Sequence, residues 1–298
     1  MSTNSLHAVP PGLCGGIRWR SGTPELICTE RDGGQEHHTP LERGTEIGLR
    51  LGGTRFCVGI RRDGARRCPY SNRIRTHSTE TQCRACAATD PGRAIARDAV
   101  VDPRPFHLYL AWFGPGVLKV GITTVQRGQD RLAEQAALAF CWLASGPHEV
   151  VRAAERAIAA AGIAPERRRR ATKLAALWDL PAAEDRRDEL WSAYQQAIRC
   201  GGWPAELAAL PFAAIDNAAL FALDRLPGSV ADITELRPAS VLSGTAITVI
   251  GTDMVLDTAH GPTMLGGRLL AGWPVEPTGE APSGYRTTQR GPGEHALF

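Results

Sequence analysis

The sequence predicts an α+β protein with β-rich ends and a helical middle. Three observations carry this. Residues 12–62 and 240–267 are short apolar runs broken by Gly, Thr and Asp, the pattern of short strands and tight turns. Most of the middle third carries apolar residues at helical spacing. Ahead of it, the stretch from His107 to Gln135, HLYLAWFGPGVLKVGITTVQRGQDRLAEQ, reads as strand, turn, strand, helix.

The elements follow in order. In the N-terminal part GIRW, PELICT, EIGLRL and RFCVGI read as strands, separated by turn residues such as Asp32-Gly33-Gly34. RAIARDAVVDPRP, residues 93–105, reads as a connector, because its two prolines oppose both a regular helix and a central strand. A boundary is expected near residue 100. Helices are expected over RLAEQAALAFCWLA, EVVRAAERAIAAAG, ATKLAALWDL and EDRRDELWSAYQQAIRC, the last stopping at Gly201-Gly202. SVLSGTAITVIGTDMVLDTAHGPTMLGG returns to strand alternation, and from Pro277 a Gly, Pro, Ser and Thr rich composition predicts a disordered tail. The expected division is a β-rich part at 12–100, a central domain at 101–203, a helix and C-terminal β part at 204–276, and a tail at 277–298. Whether the two β-rich ends share one domain is left open.

Composition sets limits on function. The chain has 298 residues, 43% of them hydrophobic, enough for one large domain or two to three small ones. A net charge of +3 does not announce a nucleic-acid binder, so any such surface must be a local patch. Lys119 and Lys173 are the only lysines among 34 basic residues, an imbalance explained mostly by GC-rich coding bias. The first residues, MSTNSLHAVPPGLCGG, lack a basic start and an apolar core, so no targeting signal is expected. No run approaches the ~18 apolar residues that span a bilayer. A cytoplasmic, reducing location is expected, with the eight cysteines as thiols or metal ligands.

The strongest metal signal is Cys57, Cys68, Cys83 and Cys86. Cys83 and Cys86 form a Cys-x-x-Cys pair, which lets two thiolates reach one tetrahedral ion. Cys57 and Cys68 are further apart, but Asp63-Gly64 between them is a two-residue hairpin signal. Folding there sets Arg62 opposite Ala65 and brings Cys57 and Cys68 within about one diagonal step. The expectation is a structural Zn2+ site, with four protein ligands and no open position for water. Incidental buried thiols, or His77 in place of one cysteine, are the alternatives. Cys14, Cys28, Cys141 and Cys200 read as small buried hydrophobes.

In the central stretch, Tyr109 and Lys119 are expected at one end of a hairpin, with Gly121 admitting a substrate backbone. Arg131 falls about one turn into the following helix, where its guanidinium can clamp a phosphate. Arg127 stands one turn earlier. Glu155 shares a helical face with Val151 and Ile158 and must point inward, where a carboxylate needs a cation or a metal. A tyrosine base, an arginine clamp and a carboxylate holding Mg2+ or Mn2+ suffice for phosphodiester hydrolysis. Glu155 paired with Arg152 or Arg156, and a solvated Arg131, are the bland alternatives.

Residues 107–155 resemble the GIY-YIG nuclease module, with LYL in place of GIY, KVG in place of YIG, Arg131 as the helix arginine and Glu155 as the metal-binding glutamate. Over residues 12–276 the chain resembles a bacterial domain-of-unknown-function family, number 2797, in which a four-cysteine β part precedes an LYL…KVGIT…R…Q segment. GTDMVLD, Gly251 to Asp257, matches that family's C-terminal GQYLI-like strand. The resemblance implies a small mixed sheet flanked by helices and a GIY-YIG-like α/β domain. It further implies nucleic acid, DNA or RNA, as partner, bound through Lys119, Arg127 and Arg131, with catalysis resting on Tyr109, Arg131 and Glu155. Two departures stand out: Lys119 replaces the second motif's tyrosine, and PERRRRATKLAAL lacks the module's later asparagine. Arg167–Arg170 is a compensating phosphate patch or a solvated face. A non-catalytic binding module and a protein-interaction adaptor are the competing readings.

Overall fold

The computed structural model describes residues 9–30, 34–60 and 66–292. The Asp63-Gly64 turn and most of Asp32-Gly33-Gly34 lie outside the described residues. Two compact units emerge: one from residues up to Val100 together with Arg225–Arg290, the other Val101–Asp224. In chain order the elements are β1 (Gly12–Arg20), β2 (Thr23–Thr29), β3 (Glu36–Pro40), β4 (Glu46–Leu51), α1 (Arg84–Thr89) and α2 (Pro91–Ile95). The second unit holds β5 (Pro105–Trp112), β6 (Leu118–Thr124), α3 (Gly128–Glu134), β7 (Ala139–Pro147), α4 (His148–Ala160), α5 (Arg170–Ala175), α6 (Ala183–Ile198) and β8 (Ile215–Asp216). The chain then returns with β9 (Val230–Ile250), β10 (Asp253–Thr258), β11 (Gly261–Gly266), α7 (Gly267–Leu270), β12 (Pro274–Pro277) and β13 (Ser283–Arg290).

The two β-rich ends build one sheet. Its order is β10-β11-β9-β4-β12-β1-β2-β3, with β13 also paired to β9. β4 alternates in burial along EIGLRL, so Ile47, Leu49 and Leu51 face the core while the residues between them do not. The segment expected to be a disordered tail is instead partly β13, whose residues from Ser283 to Arg290 pair antiparallel with β9. Its side chains are mostly exposed, which is why its composition reads as disorder; its backbone bonds to β9 hold it.

The second unit is a four-stranded sheet, β6-β5-β7-β8, antiparallel throughout rather than mixed. β5 is central and buried nearly from end to end. One face carries Tyr109, Ala111 and Phe140 against Leu132 of α3. Helix α4 buries Val151, Ala154 and Ile158, and α6 buries Leu190, Ala193 and Ala197. Glu189 of α6 receives the Trp112 indole N–H at 2.6 Å and the Gly116 N–H at 2.9 Å, fixing the Gly-Pro-Gly turn between β5 and β6.

Three further expectations are corrected. RLAEQAALAFCWLA is helical only through Glu134; Ala136 turns to φ +59 and AFCWLASGP becomes β7. A strand paired on both edges and buried on both faces is apolar throughout, so it lacks the alternation that marks a half-buried strand. RFCVGI forms only isolated bridges, Phe56 to Arg73 and Ile60 to Arg66, while EHHTP forms the unforeseen β3. The helix expected after residue 204 is absent from the α-helices: that stretch holds β8 in the central unit and a 3-10 turn, Leu223–Arg225, at its boundary. Pro204 and Pro211 break its otherwise Ala-rich pattern. No helix among the described residues is long and apolar enough to cross a membrane.

Candidate metal centre and the Tyr109–Lys119 corner

Residues 53–95 carry little regular structure, so their shape depends on a few anchors. Arg55 is 1% exposed and caps backbone carbonyls on both sides of the segment. Its guanidinium donates to Ala271 at 2.8 Å, Arg268 at 2.7 Å, Arg75 at 3.0 Å and also to Ser78. Burial pulls its pKa down to about 10, which still leaves it charged at neutral pH. Two residues on, the Cys57 N–H bonds the Asn72 carbonyl at 2.8 Å. The hairpin pairs Ile60 with Arg66, one residue off the Ile60 to Arg67 register that a turn at Asp63-Gly64 would give. Gly59 sits at φ +72, with room for no Cβ: one would lie 2.1 Å from the Arg66 carbonyl oxygen.

These anchors bring Cys57, Cys68, Cys83 and Cys86 together, all four Sγ atoms within 4.8 Å of one another. Cys83 is the N-cap of α1 and Cys86 lies in its first turn, so the Cys-x-x-Cys pair spans a helix start. Cys68 and Cys83 Sγ are 3.9 Å apart. A disulfide needs about 2.05 Å; edges of a tetrahedral Zn–S site with ~2.3 Å bonds are about 3.8 Å. The Cys57 Sγ also accepts N–H bonds from Cys83 at 3.1 Å and Gly59 at 3.4 Å, the outer-shell support a metal thiolate requires. Ile60 and Ile74 pack against the cluster, in which Cys83 alone of the four is half-buried rather than buried. Burial pushes the Cys57 and Cys86 thiols up. At Cys83 burial is outweighed by bonds from the Asn72 side chain, the Cys86 backbone and the neighbouring thiols, which bring it to about 6. The donor set therefore fits a metal such as zinc. His77 is exposed and outside the group, while Cys14, Cys28 and Cys141 are buried and Cys200 is half-buried.

In the central unit, Tyr109 on β5 stands opposite Gly121 on β6, and Ala111 opposite Lys119. Side chains at Tyr109 and Lys119 thus share a face. The Lys119 ammonium donates to the Tyr109 hydroxyl at 2.9 Å and lies 4.9 Å from its ring centroid. Gln135, just past α3, donates to the same hydroxyl at 2.8 Å, its amide oriented by a second bond to the Arg131 carbonyl at 3.4 Å. Lys173 in turn donates to the Gln135 main-chain carbonyl at 2.6 Å. Gln135 and Lys173 were not foreseen as site residues; the scarcity of lysine in the composition is the one sequence signal that singles out Lys173.

The remaining expected residues fall into separate contacts. Arg127 and Arg131, both half-buried, share the Glu134 carboxylate, with Arg131 at 3.4 Å. Glu155 is 4% exposed on α4 and is held by Arg152, which also reaches Glu166 at 3.0 Å. Burial raises the Glu155 carboxyl above its ordinary range; Arg152 opposes this, Glu166 adds to it, and Lys119 opposes it. Among the described residues no hydrogen bond or ion pair joins Glu155 to Tyr109 or Arg131. The arginine run flanks β6: Arg168 donates to the Leu118 carbonyl at 2.8 Å, and the Val120 N–H reaches Pro165 at 3.1 Å.

A family model described as Protein of unknown function (DUF2797) matches residues 44–275. The chain belongs to that family. Its matched span runs across both units and contains all four clustered cysteines, Tyr109, Lys119, Gln135 and Glu155. No curated protein and no solved structure matches the chain.

Proposed function

We propose that this is a zinc-bearing nucleic-acid-binding protein: the four cysteines hold structural Zn2+, and the central unit grips the phosphate backbone beside β6 and α3. The observation that carries the reading is the concentration of cations there. Arg127 and Arg131 share the Glu134 carboxylate, Lys119 lies near enough to Glu155 for the two charges to act on each other, and Arg167, Arg169 and Arg170 are exposed next to the anchored Arg168. Such a patch binds polyanions by counterion release even when the net charge is small. Four thiolates leave zinc no open position, so its role is to hold the segment from Arg55 to Ile95 in place of a larger core.

Phosphodiester hydrolysis is the second reading, favoured by the buried Glu155 and by the GIY-YIG-like order of strand, turn, strand and helix. In it Tyr109 takes a proton, Arg131 clamps the phosphate and Glu155 holds Mg2+ or Mn2+. The residues present do not fit such an ion. Arg152 occupies the Glu155 carboxylate, and the cysteines are the one group of three or more metal-ligating side chains among the described residues. Binding therefore stands ahead of hydrolysis.

Filter binding of single- and double-stranded DNA and RNA tests the reading. Affinity is expected to fall with salt, and Arg131→Ala to flatten the log–log slope by about 1. Absence of binding at low salt would leave a protein-interaction adaptor as the surviving reading. Nicking in Mg2+ or Mn2+ that Glu155→Ala abolishes would place hydrolysis first.

A further inference from the structure

Only two of the 34 basic residues are lysines, and both stand on one hydrogen-bonded chain. It runs from Lys119 to the Tyr109 hydroxyl, from the Gln135 side-chain amide to that hydroxyl, and from Lys173 to the Gln135 main-chain carbonyl. At Lys119 the Nζ lies close over Gly121, where an added Cβ would sit 2.6 Å from it. An ammonium presents three N–H donors from one compact centre.

The inventory of donors and acceptors shows which group faces a ligand. Tyr109 is 1% exposed, and its hydroxyl oxygen already receives two N–H donors. Lys119 is half-buried and has three N–H groups and no acceptor. One goes to Tyr109 and one to the Val120 carbonyl at 3.3 Å. The third has no acceptor among the described residues. An incoming group therefore meets an ammonium, and it must be an acceptor.

We propose that Lys119 is the residue that contacts a phosphate oxygen and that Tyr109, Gln135 and Lys173 are positioning residues that hold it. Tyr109 is then the seat of a cation, not a base. The ligand's identity rests on the nucleic-acid reading; the geometry of the corner does not.

The full chain labelled with [15N]lysine tests this, because only two lysines report. Titration with inorganic phosphate should shift the Lys119 ammonium and amide signals saturably while those of Lys173 stay nearly fixed. Lys119→Met should abolish saturation, and Tyr109→Phe should weaken it about tenfold, the worth of one charge-assisted hydrogen bond. Lys119→Arg, which keeps the charge, should weaken it comparably, whereas a merely structural Tyr109 would leave phosphate affinity unchanged in folded protein. Unmoved Lys119 signals, or wild-type affinity in folded Tyr109→Phe or Lys119→Arg, would overturn the proposal. Saturable phosphate binding without oligonucleotide binding would sink the nucleic-acid reading alone; oligonucleotide binding that leaves Lys119 unmoved would sink this one alone.

Discussion

Replacing Gly121 by Ala tests the arrangement of the corner most directly. An added Cβ would lie 2.2 Å from the Tyr109 hydroxyl oxygen, 2.4 Å from Cζ and 2.6 Å from the Lys119 Nζ. Lys119 is flexible and can swing away, giving up its bond to Tyr109. The Tyr109 ring cannot, since it is packed with Ala111, Phe113, Leu132, Ala137 and Phe140. Overpacking of this kind costs ~1–3 kcal/mol, and the lost bond about 1 kcal/mol more. The gain from replacing glycine in a strand offsets ~0.5–1 kcal/mol. The net expectation is a loss of about 2 kcal/mol, a fall of about 8 °C in the melting of a unit this size. Differential scanning calorimetry of the full chain reads it, with Gly201→Ala, which meets nothing within 4 Å, as the neutral control. Adding Tyr109→Phe removes the 2.2 Å contact but leaves Cζ, so less than half the loss should return. A Gly121→Ala melting point within about 1 °C of wild type would refute the placement of Tyr109 and Lys119 over Gly121.

Other expectations follow from the same structure. Purified protein should carry metal, and Cys83→Ser should lose about one equivalent by elemental analysis; unchanged metal content would remove the cysteine site. Arg55→Met strands four backbone carbonyls and should destabilise the unit built on β1–β4 and β9–β13 by at least ~2 kcal/mol in denaturant titration. Because Glu155 is held above the ordinary carboxylate range, the folded chain binds that proton more tightly than the unfolded chain. Its contribution is present at low pH and lost as pH rises through the folded value. Glu155→Gln should therefore flatten the decline in melting temperature as pH rises past the ordinary carboxylate range, and parallel profiles for variant and wild type would contradict the burial argument.

How far the fold was legible depends on where each signal resides. β4 shows its alternation in the order of its residues, and the β5, turn, β6, α3 succession is written in local periodicity and Gly-Pro-Gly. β7 was misread because a strand buried on both faces lacks the alternation that separates it from a helix. β13 was misread because its stability comes from pairing with β9, some fifty residues earlier, and not from its own side chains. The joining of the two β-rich ends into one sheet is likewise a property of pairing: β12 lies between β1 and β4, a register no local pattern specifies.

The site divides along the same line. The cysteine cluster was legible because the Cys-x-x-Cys spacing limits geometry at short range; the support from Arg55 was not, since two of its carbonyl partners lie at Ala271 and Arg268. Tyr109, Lys119 and Glu155 were legible as positions, but their roles depend on neighbours. Glu155 needs a cation, and sequence spacing offered Arg152, Arg156 or a metal equally well; only the contact with Arg152 decides among them. Lys119 in place of a tyrosine reads in the sequence as a loss of catalytic equipment. In the folded chain it donates to the Tyr109 hydroxyl, which also accepts from the Gln135 side-chain amide, while the chain's one other lysine donates to the Gln135 main-chain carbonyl. The Tyr109 hydroxyl accepts one of the Lys119 N–H groups and the Val120 carbonyl another, so what Lys119 can do is set by partners that the local sequence does not name.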